Sequence, residues 1–157
     1  EGSRGLGDVY KRQDQGRDQY KKKLIELTEK YKITNQVKFF NHCEDMALAY
    51  KISDIVVSAS VEPEAFGRVS VETQSMQKLI IASNIGGSNE TIIDEKTGFL
   101  FESGDPKSLA KKIMRALTMD DTSLKKIGIE GRKNVIKKFN VEKMCFSTYS
   151  EYKRLIN

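Results

Sequence analysis

The 157-residue sequence is poor in the residue types that many catalytic and metal sites require. It has one histidine, His42, two cysteines and no tryptophan. A histidine-ligated metal site or a Ser-His-Asp triad would have a single candidate imidazole, and no other motif supports either, so we expect no protein-bound metal. Cys43 and Cys145 match no metal or redox spacing, which predicts reduced, partly buried thiols rather than a disulfide.

Long apolar runs are also lacking. No segment approaches the ~18 apolar residues that span a bilayer, and we expect no signal peptide. The net charge of +5 is compatible with a phosphorylated ligand, nucleic acid or an acidic membrane surface. The basic residues mostly lie beside acids at helical spacing, which favours solvated helix faces. We therefore expect a cytoplasmic protein without a nucleic-acid partner, and peripheral association with the inner face of the membrane stays open.

Apolar patterns along the chain alternate between helix and strand. Residues 1–13 contain three glycines and no apolar periodicity, and we interpret them as a non-native or disordered tail. Residues 14–157 are predicted to form one domain, with Asp105 as N-cap of a helix that begins at Pro106 and two closing helices at 122–138 and 141–155. The predicted strands are "VKFF", "DIVVSAS", "LIIAS" and "TGFLF". Strands separated by helices predict an α/β fold with a parallel sheet covered on both faces.

Three loops follow predicted strands and should open at the same edge of the sheet, where ligands bind in such folds. They are "NHCED", "VEPEAFG" and "NIGGSNE". In the middle loop, Gly67 lies where a helix is predicted to begin, so the amides of residues 66–69 would be free to bind phosphate. Glu64 and Glu72 flank this position with carboxylates that can accept hydrogen bonds from sugar diols. The pattern suggests a nucleotide sugar.

Each of these features also has a plainer interpretation. Glu64 and Glu72 are compatible with an exposed loop acid and a helix-start acid, and Glu62 could be the loop carboxylate that matters. Gly86 and Gly87 either make a tight turn or let backbone approach a ligand. "NHCED" is either a helix N-cap near Asp45 or a rim that receives a nucleobase.

Taken in order, the segments "VKFFNH", "AYKISDIVVSAS", "EPEAFGRVSVETQSM", "LIIASNIGGSNETI" and "TGFLFESGDPKSLAKKI" resemble the carboxyl-terminal half of family 4 glycosyltransferases. These are retaining enzymes of the GT-B type, with two Rossmann-like domains. The resemblance covers about residues 18 to 155, and its core is the glutamate pair Glu64 and Glu72 with Phe-Gly between them. It implies a Rossmann-like parallel sheet with helices on both faces.

The resemblance also implies roles for individual residues. Glu64 would contact the hydroxyls of the donor sugar as the catalytic carboxylate, and Glu72 would bind the nucleotide ribose. The donor would be a UDP- or GDP-linked sugar, transferred with retention and without a cofactor. The predicted donor-binding residues are Glu64, Phe66, Gly67, Arg68, Val69, Glu72, Gly86 and Gly87, and those near the base are His42, Cys43 and Asp45.

The chain departs from the family pattern at its amino-terminal side. The first two strands of a donor domain, the Arg/Lys loop that grips the diphosphate, and the acceptor domain are not recognisable in this sequence. We therefore expect a fragment without transferase activity of its own. Three other interpretations stay open: a non-catalytic nucleotide-sugar-binding module, a partner-docking fragment that uses its basic helices, and part of a GT-B epimerase or phosphorylase.

Overall fold

The computed structural model describes residues 14–40 and 43–156, which group into two compact units with the boundary between Met46 and Ala47. The predicted tail at residues 1–13 and His42 lie outside the described residues.

The first unit contains one long helix. Helix α1 spans Asp14–Lys30, and a 3-10 turn (Thr34–Gln36) follows it. Its only buried residue with a described side chain is Thr28, whose hydroxyl donates to the Ile25 carbonyl at 2.7 Å.

The predicted strand "VKFF" is wrong. Val37 has extended dihedral angles (φ −111°, ψ 128°), but residues 37–40 are outside any strand. A strand requires a neighbour that accepts and donates its backbone hydrogen bonds, and an apolar pattern in four residues does not specify one. The three strands of the described sheet all lie later in the chain.

The second unit is an α/β assembly, confirming the predicted fold class. Helix α2 (Met46–Ile52) begins at the boundary between the units. The elements that follow are β1 (Ile55–Ser58), α3 (Arg68–Ser75), β2 (Leu79–Ser83), α4 (Ser88–Thr91), β3 (Phe99–Phe101), α5 (Pro106–Leu117), α6 (Asp121–Lys138) and α7 (Val141–Ile156).

The sheet is parallel, with the order β1-β2-β3. All five residues of β2 are buried, because it is the central strand and its side chains alternate between two covered faces. One face packs Ile81 and Phe99 against Ala116 of α5 and Ile127 of α6. The other face packs Ile80, Ala82 and Ile92, with Val69 of α3 against them. Helical segments therefore cover both sides of the sheet.

The helix starts follow their local signals. The Asp105 carboxylate accepts a hydrogen bond from the Lys107 amide at 2.8 Å, and Pro106 is the first residue of α5, as predicted. The Asp120 carboxylate caps α6 in the same way, accepting from the Ser123 amide at 2.9 Å. Helices α6 and α7 match the two predicted closing helices to within one residue at each end.

Both cysteines are free, as expected. Cys43 is half-buried, but Cys145 is exposed, so the prediction of a partly buried thiol is wrong there. The reason is that Cys145 lies on α7, a helix with no buried residue. None of the helices within the described residues is both long and apolar enough to cross a membrane.

Candidate functional site

The start of α3 leaves backbone donors unused. Gly67 is the N-cap in the left-handed region (φ 70°, ψ 54°), a conformation that glycine adopts without strain. Its carbonyl accepts from the amides of Ser70 and Val71, at 3.0 and 3.3 Å. Within residues 43–156, the amides of residues 66–69 have no protein acceptor, and no side chain caps the helix. Together with the helix dipole, these amides can bind an anion.

The loop before α3 packs directly against the glycine pair after β2. The Gly87 amide donates to the Glu64 carbonyl at 2.7 Å. A Cβ atom on Gly86 would lie 2.6 Å from the Glu64 carbonyl oxygen, and one on Gly87 would lie 2.4 Å from the Phe66 carbonyl carbon. The two glycines therefore serve a close backbone approach, but to the neighbouring loop. The Gly87 amide already donates to the Glu64 carbonyl, so it is not free for a ligand. A role of the two glycines in donor binding stays a prediction.

Glu64 is exposed at the carboxyl edge of the sheet, as expected for a loop that follows a strand. Its Oε1 accepts from the Ser60 hydroxyl at 2.7 Å, and the Ser60 carbonyl accepts from the Ser103 hydroxyl at 3.3 Å. The loops after β1, β2 and β3 thus meet around Glu64. The sequence predicted the first two of these loops and missed the third.

The carboxylate of Glu72 is held at both oxygens. Oε1 accepts from Nε and Nη2 of Arg68, at 3.1 and 2.8 Å, and Oε2 accepts from the Tyr50 hydroxyl at 2.9 Å. Tyr50 is buried in α2, whereas the side chains of Arg68 and Glu72 are 50% and 31% exposed. Tyr50 was missed from sequence, where the apolar run "MALAYKI" indicates only that it faces the core.

A buried network of side-chain amides and backbone carbonyls joins α3 to its neighbours. The amide nitrogen of Gln74 donates to the carbonyls of Ser70 and Thr91, both at 3.0 Å. Asn134 of α6 donates to the Thr91 carbonyl at 3.1 Å and approaches the Gln74 side-chain oxygen at 3.4 Å. The network ties α3 to α4 and α6, so the free amides and Glu72 stand on a rigid support.

An aromatic contact holds the tip of the loop before α3. The rings of Phe66 and Phe139 meet edge to face, with their centroids 5.7 Å apart. Phe139 is the residue that ends α6. The sequence identified the helix break here but gave no sign of this contact.

The residues predicted near the nucleobase belong to the first unit or lie outside the described residues. The Cys43 thiol donates to the Asp45 carbonyl at 3.2 Å, within the short segment just before α2. His42 is not among the described residues. Their role at the base stays a prediction.

A family model described as "Glycosyl transferases group 1" matches residues 15–134. The chain belongs to this family. The matched range includes Glu64, Gly67 and Glu72, so the candidate site lies inside a glycosyltransferase group 1 domain.

Individual glycosyltransferases resemble the chain over most of its length. The crystal structure of a glycosyltransferase from Rickettsia africae superposes with a TM-score of 0.83 at 38% identity, covering 89% of this chain and 37% of that one. Anabaena HepE, solved in complex with UDP-glucose, gives a TM-score of 0.80 at 26% identity, covering 87% and 38%. The capsular polysaccharide glycosyltransferase CapM of Staphylococcus aureus is 34% identical over 104 residues, which are 66% of this chain and 27% of CapM.

The structural neighbours are GT-B glycosyltransferases, so the α/β fold of this group 1 domain is that of part of a GT-B enzyme. The chain spans about a third of the length of these neighbours.

Proposed function

We propose that this chain is the donor-binding portion of a family 4 retaining glycosyltransferase. The complete protein would transfer a sugar from a UDP- or GDP-linked donor to an acceptor. One observation carries the proposal: the free amides at the start of α3 lie, along the chain, between two carboxylates, Glu64 in the preceding loop and Glu72 just over one turn into the helix.

The chemistry of each group suits one part of a nucleotide sugar. The amides of residues 66–69 and the helix dipole would stabilise the diphosphate as negative charge develops on the leaving group. Glu64 would accept hydrogen bonds from the sugar hydroxyls, and Glu72 from the ribose diol. Arg68, half-exposed at the same helix start, adds a cation that can contact a phosphate.

The relatives support this assignment. HepE, 26% identical to this chain, was solved in complex with UDP-glucose. The domain that matches this chain is therefore found in a protein that holds a nucleotide sugar. Further features stay predictions: a retaining reaction without a protein-bound metal, a separate acceptor domain, and a cytoplasmic location, with association with the inner membrane face left open.

Nucleotide binding by the complete gene product tests the proposal. Isothermal titration with UDP and with GDP should show saturable binding of at least one of them. Glu72→Ala should weaken that binding more than tenfold, because a charged hydrogen-bond partner of the ribose is lost (~1.5–3 kcal/mol). Glu130→Ala is a matched control, since Glu130 is also a helical glutamate, 32% exposed and paired with a cation one turn away. No binding of either nucleotide, or equal effects of the two substitutions, would contradict the proposal.

A second candidate function is a nucleotide-sugar-binding module that performs no transfer. The free amides at the start of α3 favour binding regardless of catalysis. Sugar transfer by the 157-residue chain alone would contradict our expectation that it is inactive. Nucleotide binding by the complete gene product, with no sugar transfer to any acceptor, would favour the module.

A further inference from the structure

We infer that Tyr50 is the positioning residue for Glu72, and that it determines which carboxylate oxygen faces the ligand. The inference rests on the proposed function, in which Glu72 binds the ribose of the donor. The glutamate pair Glu64 and Glu72 with the residues between them does not include Tyr50, which is 22 residues from Glu72 along the chain.

The two oxygens of Glu72 have different surroundings. Oε2 accepts from the hydroxyl of Tyr50, a residue that is only 4% exposed. Oε1 accepts from the guanidinium of Arg68, whose side chain is 50% exposed. Oε2 is therefore held by a group fixed in the core, and Oε1 by a group on a flexible surface side chain.

This difference decides where a ligand hydroxyl can bind. The tyrosine ring is packed, so its hydroxyl keeps a constant position beside Oε2, and a hydrogen bond to a carboxylate is stronger than one between neutral groups. The Arg68 contact is a solvent-exposed pair one turn apart, which is worth little and exchanges easily. A ribose hydroxyl would thus meet Oε1, either beside Arg68 or in its place.

Holding Oε2 also lowers the cost of binding. A glutamate side chain has several rotatable bonds, and fixing them when the ligand arrives would weaken affinity. With Tyr50 in place the carboxylate is already oriented, so the diol meets a preorganised acceptor. Removing the phenol hydroxyl should therefore weaken recognition of the ribose hydroxyls specifically, rather than of the diphosphate.

Tyr50→Phe in the complete gene product tests this, because it removes the hydroxyl and keeps the ring. The probes are UDP and GDP, each with its 2′-deoxy counterpart, measured by isothermal titration. The parent protein should prefer the ribonucleotide. Tyr50→Phe should weaken ribonucleotide binding about fivefold to tenfold and bring the ratio of ribo to deoxy affinity toward one. In a Glu72→Ala background the same substitution should have no further effect on affinity.

Tyr149→Phe, at an exposed position of α7, is the control for the same chemical change and should leave both affinities unchanged. A parent that prefers the ribonucleotide while Tyr50→Phe keeps the full preference would overturn this inference alone. An equal loss of affinity from Tyr50→Phe with and without Glu72 would also overturn it, since Tyr50 would then act on the fold and not through Glu72. A parent that binds neither nucleotide would overturn the proposed function, and this inference with it.

Discussion

Two clusters in the second unit each pair a glutamate with an arginine, yet they differ in what surrounds the pair. Glu95 accepts from Arg115 and, at 3.4 Å, from Lys112, and both cations lie over the ring of Phe99, at 5.0 and 5.5 Å from its centroid. The charged groups of this cluster are paired with one another. At Glu72, by contrast, the pair stands next to helix amides that have no acceptor among the described residues.

The helix starts show the same difference. The nearby helix α5 is capped by its own Asp105, whereas α3 begins at Gly67 with no side-chain cap. An ion pair alone therefore does not distinguish a binding site from a structural cluster. The distinguishing property is a set of donors that the protein itself leaves unused.

The two clusters also differ in what holds them. The α3 site is built from backbone packed against backbone and from a buried amide network, while the Glu95 cluster consists of long, partly exposed side chains. Backbone contacts cannot shift to accommodate added atoms, and exposed ion pairs can. Substitutions at the site should therefore destabilise the domain more than substitutions in the Glu95 cluster.

The largest effect is expected for Gly87→Ala. Its Cβ would lie 2.4 Å from the Phe66 carbonyl carbon, so the two loops must separate. The free energy of unfolding should fall by about 3 kcal/mol or more, measured by urea denaturation. Gly104→Ala is the control, because no described atom lies within 4 Å of its Cβ position and only its positive φ of 76° opposes alanine. That substitution should cost about 1 kcal/mol, and an equal or larger loss there would contradict the prediction.

The second-largest loss in the free energy of unfolding is expected for Asn134→Ala. It removes a buried donor to the Thr91 carbonyl and leaves the Gln74 side-chain oxygen without this neighbour. We expect a loss of about 2 kcal/mol in the free energy of unfolding, since buried polar groups without partners are costly. Asn89→Ala, at an exposed position of α4, is the matched control. Similar losses for the two asparagines would show that the network contributes little to the support of α3.

Glu95→Gln should have a smaller effect, below about 1 kcal/mol, because the side chains of Glu95 and its main partner Arg115 are 46% and 48% exposed. The hydrogen bond from Arg115 is the main cause that lowers the pKa of Glu95. The ionised Glu95 carboxylate therefore stabilises the folded state above the unfolded pKa of about 4.3, and this stabilisation is lost as pH falls through the folded pKa. Urea denaturation of the parent and the variant at low and high salt measures how much of this stabilisation depends on charge. A loss that salt does not reduce would mean that the cluster acts by packing rather than by charge.

The smallest effect is expected for Asp120→Asn, which keeps a good N-cap residue and removes the charge and one of the two oxygens that accept from Ser123. Hydrogen bonds from Ser123, first from its hydroxyl and then from its amide, lower the pKa of Asp120. The parent should therefore melt slightly higher than the variant above about pH 3.9, and the difference should vanish as pH falls through the folded pKa. Thermal melts across this range measure it. A difference that grows toward acid would contradict the assignment.

What could be predicted from the sequence was local in the chain. The start of α5 follows from Asp105 and Pro106, and β2 from the run "LIIAS", because the deciding residues are adjacent. The spacing of Glu64, Gly67 and Glu72 likewise lies within one loop and one helical turn. Local signals were sufficient for the fold class, and together with the family resemblance they indicated the centre of the candidate site, whose role stays a prediction.

What could not be predicted depends on contacts between distant segments. Asn134 approaches Gln74 across 60 residues of sequence, and nothing near either residue indicates the other. The glycine pair illustrates the same point: the sequence left open a tight turn or a close approach to a ligand, and it did not indicate the backbone of Glu64 and Phe66 as the neighbour. The strand "VKFF" failed for this reason too: its pattern is suitable for a strand, but pairing is a property of a neighbour.

The hydrogen bond from the Gly87 amide to the Glu64 carbonyl has a consequence for motion. It joins the acidic loop to the segment that begins α4, so neither can swing independently as a hinged lid over a bound molecule. Any opening of this edge of the sheet would have to carry both segments together or break that bond. The edge should therefore recognise its ligand as a preformed surface, with adjustment left to side chains such as Arg68.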